Sequence, residues 1–242
     1  PDADWLQRMR EWNGQLADAG YAAPAWPERW GGRDATVLEQ VAHAEEMAAA
    51  DAPGPINALG IPNVAPAIMT YGTPAQQERY LAPMLRGEEI WCQGFSEPDA
   101  GSDLASLRTR AVRDGDDYVV DGEKVWTTFG QVADVCELLV RTDPTAAKPQ
   151  AGITCLLLDM ATPGIAVSPL RTMVGTAEFC ALHLDGVRVP VSQRLGDEHD
   201  GWKVAMATLA NERGGVASLH LGLRARIDEL IAEARANGRT SD

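Results

Sequence analysis

The sequence predicts an α+β fold in three consecutive parts: an all-helical segment, a central run of short strands, and the start of a second helical unit. Three observations predict it. Apolar residues recur at helical spacing up to about Gly87. From about Ile90 the pattern changes to short apolar runs separated by turn signals. Near Asp200 the helical period returns. The expected divisions are 1–89, 90–199 and 200–242.

In the first part, Asp4 to Ala19 carries Trp5, Met9, Trp12 and Leu16 at spacings of four, three and four, which places them on one helix face. Gly20 suits the helix C-terminus. Pro24 to Gly32 is a turn-rich connector, and Thr36 to Ala50 resumes the helix with Val37, Val41, Ala44 and Met47 on the expected inner face. Thr73 is an expected N-cap with Pro74 at the first helical position; Pro83 is expected to disturb that helix and Gly87 to end it.

In the second part, Tyr118-Val119-Val120, Asp121-Gly122 and Lys124-Val125-Trp126 predict a hairpin, because Asp-Gly tolerates the positive φ of a tight turn. Val135 to Arg141 and Ile153 to Met160 are apolar runs of strand length. Phe179 to Pro190 is expected as an extended pair turning at Asp185-Gly186. Strands at this spacing suit a small barrel or a sandwich.

In the third part an apolar stripe runs from Val204 through Ala207, Leu209, Val216, Leu219, Leu223, Ile227, Leu230 and Ile231. Gly214-Gly215 allows either one helix or two. A helix needs a partner for its stripe, and none follows. The chain opens at Pro1 without Met and stops just after this helix at Asp242, so both ends are expected to be cuts.

Composition narrows the function. A net charge of -14 with scattered cations argues against nucleic acid, whose backbone needs a basic face. Cys92, Cys136, Cys155 and Cys180 form no CxxC pair and sit in apolar contexts, so they are expected to be buried free thiols in a reducing, cytoplasmic compartment. The four histidines lack ligand spacing, and no metal is expected. The stretch from Ala52 to Gln77 carries no charge, but five prolines break it, so no membrane span is expected.

Neither GxGxxG nor GxxxxGK[ST] is present. The segment Gly94-Phe95-Ser96-Glu97-Pro98-Asp99-Ala100-Gly101-Ser102-Asp103 is a turn with a hydroxyl near each end. Gly101 permits close backbone approach, and Ser102 adds a donor beside main-chain N–H groups, a combination that cradles an anion such as a pyrophosphate. The same residues also suit a plain connector held by its own Asp and Ser bonds. In Lys124-Val125-Trp126-Thr127-Thr128-Phe129, alternation puts Trp126 and Thr128 on one face. A wide ring beside a hydroxyl suits a flat heteroaromatic ligand, and equally a core Trp beside a ladder Thr.

Together the two segments resemble the acyl-CoA dehydrogenase family. Trp26-Pro27-Glu28-Arg29-Trp30-Gly31-Gly32 resembles its early Pro-Glu-x-x-Gly-Gly turn, and Tyr71-Gly72-Thr73-Pro74-Ala75-Gln76-Gln77 with Tyr80-Leu81-Ala82-Pro83 the helix ending its first domain. Ser96-Glu97-Pro98 with Ala100-Gly101-Ser102-Asp103 resembles its flavin loop, Gly122 to Thr128 its flavin strand, and Val187-Arg188-Val189-Pro190 its barrel exit. Each motif is weak alone; their order is specific, and the resemblance covers nearly the whole chain.

The resemblance implies an N-terminal all-helical domain, a central β-barrel domain and the start of a C-terminal helical-bundle domain, with FAD between the last two. It implies an oxidoreductase of acyl-CoA thioesters, an electron-transfer flavoprotein as acceptor and a homo- or hetero-tetramer. Phe95 and Ser96 would contact the isoalloxazine, Gly101 and Ser102 would lie near the pyrophosphate, Trp126 would cover the flavin and Thr128 would reach toward N5. Ser102 and Arg213 are the candidates for contact with the acyl-CoA. Asn211-Glu212-Arg213 resembles the arrangement in which a Glu on the first helix of the last domain is the catalytic base, so Glu212 is the candidate. Phe129 stands where many relatives carry Asn or Ser. Two alternatives share the resemblance: an oxygen-using flavin monooxygenase or oxidase, and a non-catalytic subunit whose partner supplies the base.

Overall fold

A computed structural model describes residues 3–239, excluding the side chains of residues 212–221 and 225. Among the described residues, five α-helices and eight strands follow one another in the expected order. Helix α1 (Ala3–Asp18) ends before Gly20, whose φ of 74° gives the left-handed turn expected there. Its anchor is a residue the periodicity does not single out: buried Asn13 donates to Leu85 O at 2.6 Å and accepts from Ile56 N at 3.1 Å.

Helix α2 (Val37–Ala49) starts with a full capping box, Thr36 and Glu39 each bonding the other's backbone N–H. Its expected inner face is not buried: Val37 is 73% and Val41 47% exposed. The helical period is as expected, but the face is covered only towards its C-terminal end, where Met47 packs against the core. Leu59 leads into a single wide turn at Gly60–Val64 and then helix α3 (Ala65–Tyr71), a helix masked in the sequence by its prolines. Val64, Ala65, Ala67 and Ile68 are fully buried, so the uncharged stretch is core rather than a span. Among the described residues no helix is long and apolar enough to cross a membrane.

Helix α4 (Pro74–Arg86) is capped by Thr73 as expected and runs through Pro83 to a left-handed Gly87. The Gln76 amide accepts from Thr73 N at 2.9 Å and donates to Ser192 O and Arg194 O, each at 2.9 Å. One side chain thus closes the helix start and ties it to the β region.

Strands β1 (Trp91–Gly94), β2 (Arg110–Asp114), β3 (Asp117–Thr128), β4 (Val135–Arg141), β5 (Ile153–Asp159), β6 (Ile165–Leu170), β7 (Phe179–Pro190) and β8 (Arg194–Leu195) form one sheet. Its order is β6-β7-β3-β2-β4-β5-β8, with β1 beside β4. The sheet curls into an open barrel around an inner core that includes Cys92, Tyr118, Cys136, Leu156, Cys180 and Leu182. Its other face packs on the helices through Val135, Leu139, Ile153, Cys155 and Leu157. Alternation on two covered faces explains why β4, apart from Glu137, and β5, apart from Thr154, read as near-continuous apolar runs. All four cysteines are buried and free.

Two expected turns prove to be mid-strand features. Asp121-Gly122 continues β3, and the hairpin turn lies earlier, at Gly115 with φ 64°. Asp185-Gly186 holds an extra residue bulged within β7 opposite it, with Gly186 N donating to Asp121 Oδ1 at 2.8 Å. Positive φ serves a bulge as readily as a turn, and a bulge bends and twists a strand as a curled sheet needs. Helix α5 (Gly201–Ala236) is one helix through Gly214-Gly215. Val204, Ala205 and Thr208 bury against the sheet side, while Leu223, Ile227, Leu230 and Ile231 of the expected stripe are exposed.

Candidate functional site

The site starts where β1 ends. Glu97 and Ala100 exchange backbone hydrogen bonds of 2.8 and 3.1 Å, closing a tight turn through Pro98 and Asp99. The Glu97 carboxylate accepts from Arg108 N at 2.6 Å, Thr109 N at 2.8 Å and the Lys124 ammonium at 2.8 Å. Lys124 Nζ also donates to Phe95 O at 3.1 Å, and Val125 N donates to Ser96 O at 2.9 Å. The turn is thereby sewn onto β3. Burial alone would raise the Glu97 pKa; the Lys124 charge and the N–H donors outweigh it and hold the carboxyl below its usual range.

At Val125-Trp126 the strand bulges by one residue against β7, and Trp126 adopts φ 62°. Simple alternation would have set Trp126 opposite Val125. The bulge instead lets Val125, Trp126 and Thr128 all line one cleft while Lys124 and Thr127 stay buried behind them. A bulky residue at positive φ is strained, and such strain gathers at functional sites. Trp126 is 61% exposed, with Phe179 edge-on at 6.0 Å. Phe129 is also left-handed, at φ 56°, a conformation Asn adopts more readily than Phe.

The cleft has a volume of about 380 Å³. Phe95, Ser96, Gly101, Ser102, Trp126 and Thr128, the six residues expected at a cofactor, all line it. The sequence reading missed Leu59 and, on β1 shortly before Phe95, Gln93, together with the opposite wall on α5: Trp202, Met206 and Leu209. The spacing of four and three from Trp202 to Leu209 was the available signal, since it puts them on one helix face. Glu212 and Arg213 fall within the span of α5, but their side chains lie outside the described residues.

The lining fits a flat ring bearing a phosphate tail. The hydroxyls of Ser96, Ser102 and Thr128 bond no described residue, and the backbone N–H groups of Gly101 and Ser102 find no described acceptor. A Cβ added at Gly101 would meet no described atom within 4 Å, so the space over that backbone is open. Donors without partners beside an exposed ring are what a nucleotide-like ligand requires.

Comparison with known proteins points the same way. Residues 2–88 match the family model described as acyl-CoA dehydrogenase, N-terminal domain, and residues 92–187 the acyl-CoA dehydrogenase, middle domain. The acyl-CoA dehydrogenase IpdE1 of Mycobacterium tuberculosis is 43% identical over 209 residues, covering 86% of this chain and 54% of the relative. The mitochondrial isovaleryl-CoA dehydrogenase of Pongo abelii is 32% identical over 235 residues, covering 93% and 54%. Among solved structures, the Tcur3481-Tcur3483 steroid ACAD superposes with a TM-score of 0.88 at 37% identity, covering 98% of this chain and 60% of that one. The ChsE4-ChsE5 complex of Mycobacterium tuberculosis gives 0.75 at 41% identity, covering 84% and 52%. The chain thus spans about half the length of the curated relatives named here.

Proposed function

The chain belongs to the acyl-CoA dehydrogenase family, and from that premise we propose that its cleft holds FAD where an acyl-CoA thioester is dehydrogenated between its α and β carbons. The observation that carries the proposal is the convergence of the six expected residues on one cleft with their hydroxyls left without described partners. FAD, when bound, would supply the acceptor for the hydride leaving the β carbon. Trp126 would cover the ring, Phe95 and Ser96 would hold its pyrimidine edge, and Thr128 would donate toward N5. The N–H groups of Gly101 and Ser102 would face the pyrophosphate, with Ser102 and Arg213 reaching the acyl-CoA.

A thioester α-proton is weakly acidic, so its carbonyl oxygen needs hydrogen-bond donors as negative charge develops there. A carboxylate then takes the proton, and Glu212 is the proposed base. The apolar wall of Trp202, Met206 and Leu209 would keep water from that step. An electron-transfer flavoprotein is the proposed acceptor of the electrons, and a tetramer the proposed assembly. A second reading, one subunit of a heteromeric enzyme, is favoured by similarity to the ChsE4-ChsE5 complex.

The test is anaerobic mixing of the full-length protein with straight-chain, branched, aromatic and steroid side-chain acyl-CoAs, following flavin absorbance. Wild type is expected to bleach with one class, and Glu212→Gln to hold FAD without bleaching. If the variant bleaches equally fast, the base lies elsewhere. If wild type holds FAD but no thioester bleaches it, the heteromeric reading replaces the first.

A further inference from the structure

Glu137 lies in the middle of β4, on the face turned to the helices, and is fully buried. It belongs to none of the roles above, and a sheet interior has no need of a carboxyl there. Its neighbours on β4 that share this face, Val135 and Leu139, are apolar. Two of its partners belong to the opposite walls of the cleft. Thr208 Oγ1 donates to Oε1 at 2.8 Å, and Thr208 sits on α5 between the cleft residues Met206 and Leu209. Gln93 Nε2 donates to Oε2 at 3.3 Å, and Gln93 itself lines the cleft from β1. One carboxyl therefore joins α5 to the strand that leads into Phe95 and Ser96.

We propose that Glu137 is a positioning residue of the cleft: through Thr208 and Gln93 it fixes the distance between the two walls, and loss of its proton loosens that hold and weakens FAD binding. The proposal rests on the reading of the cleft as a cofactor site, but its structural half does not.

The groups facing Glu137 are few. Strand β1 brings Gln93, α5 brings Thr208, and β5 brings the Cys155 thiol, whose Sγ lies 3.9 Å from Oε1. Cys155 is the titratable group among them, and burial and Glu137 both push it up. No described cation or second carboxylate is paired with Glu137. Burial drives the Glu137 carboxyl up to about 7, while the bonds from Thr208 and Gln93 pull it only partly back. Once ionised, a charge with neutral partners alone sits in a dry site. It regains hydration if α5 lifts and water enters, which widens the cleft. An apolar residue at this position would hold the walls together at any pH, so titration is what sets Glu137 apart from plain packing.

The experiment uses the full-length protein as wild type, Glu137→Gln and Thr208→Val. Two readouts are followed from about pH 6 to about pH 8.5, an interval that brackets the ionisation: the FAD dissociation constant, by flavin fluorescence, and hydrogen exchange of the backbone amides of residues 201–211, corrected for intrinsic rates. In wild type the dissociation constant is expected to rise by roughly tenfold, within the roughly thirtyfold that loss of one proton with a midpoint near 7 allows by the end of the interval, and the amides to lose protection over the same interval. Glu137→Gln keeps the acceptor for Thr208, and Gln93 can turn its amide to match. Both readouts should then stay flat at their acid-side values. Thr208→Val removes a donor that favours the ionised form, so the midpoint should move to higher pH. A wild-type profile without a midpoint in the exchange data, or a midpoint that persists in Glu137→Gln, overturns the proposal. If FAD binds to none of the proteins yet the exchange midpoint disappears in Glu137→Gln, the cofactor reading fails and the anchoring role stands.

Discussion

Lys124 and Glu97 form an ion pair of 2.8 Å in which the Lys124 side chain is fully buried and that of Glu97 is 8% exposed. The pair joins the loop bearing Ser96 and Ser102 to the strand bearing Trp126 and Thr128, so two distant stretches of sequence act as one rigid wall. Burial pushes the Lys124 ammonium down from its ordinary value, against the pull of Glu97. A pair held this way gives the wall a fixed geometry more than it gives net stability.

Removing one partner is therefore costly. Lys124→Met would leave Glu97 with its two backbone N–H bonds but no cation, and is expected to lose about 3–5 kcal/mol. The double variant Lys124→Met with Glu97→Gln should recover much of that. Urea unfolding of wild type and the two variants checks it; equal losses in the single and double variants would show that the charge is not the cause.

Trp126 separates backbone strain from ligand contact. Glycine takes the φ of 62° without strain, so Trp126→Gly should be about 1 kcal/mol more stable than Trp126→Ala. Both variants should bind FAD roughly tenfold more weakly, as expected for the loss of one ring contact. Thermal unfolding and flavin fluorescence read the two effects separately.

Gln76 makes an isosteric change informative. Gln76→Glu keeps the acceptor for Thr73 N and adds a favourable charge at a helix start. It also turns an oxygen toward Ser192 O and Arg194 O, where the amide had donated. The buried mismatch should dominate, with a net loss of about 2 kcal/mol at neutral pH that shrinks in acid as the carboxyl protonates. Urea midpoints at the two pH values decide it.

Glu137 makes stability pH-dependent. Its folded value of about 7 stands above its ordinary 4.5, so between those values the folded state keeps a proton that the unfolded chain has released. The stabilisation is complete below 4.5 and is lost as pH rises through 7. Relative to wild type, Glu137→Gln should gain roughly 3 kcal/mol between acid and mildly alkaline solution. Parallel stability curves for the two proteins would contradict this.

Much of the molecule was legible in the chain itself. The cap at Thr73, the left-handed Gly20 and Gly87, and the apolar runs of β4 and β5 are local features, governed by residues a few positions apart. The loop and strand motifs likewise named six residues that line one cleft. What the sequence could not decide was long-range. Asp121-Gly122 and Asp185-Gly186 have the chemistry of turns, yet pairing between β3 and β7 carries both strands straight through them. Val37 and Val41 have the period of a buried face, but burial depends on which element arrives to cover it. The bulge that brings Val125 to the side of Trp126 and Thr128, the burial of Lys124 against Glu97, and the meeting of Glu137 with Thr208 across 71 positions each depend on where the sheet curls and where α5 lands. Local propensity selects the elements; the free energy of burying charge and apolar surface between distant segments selects their partners.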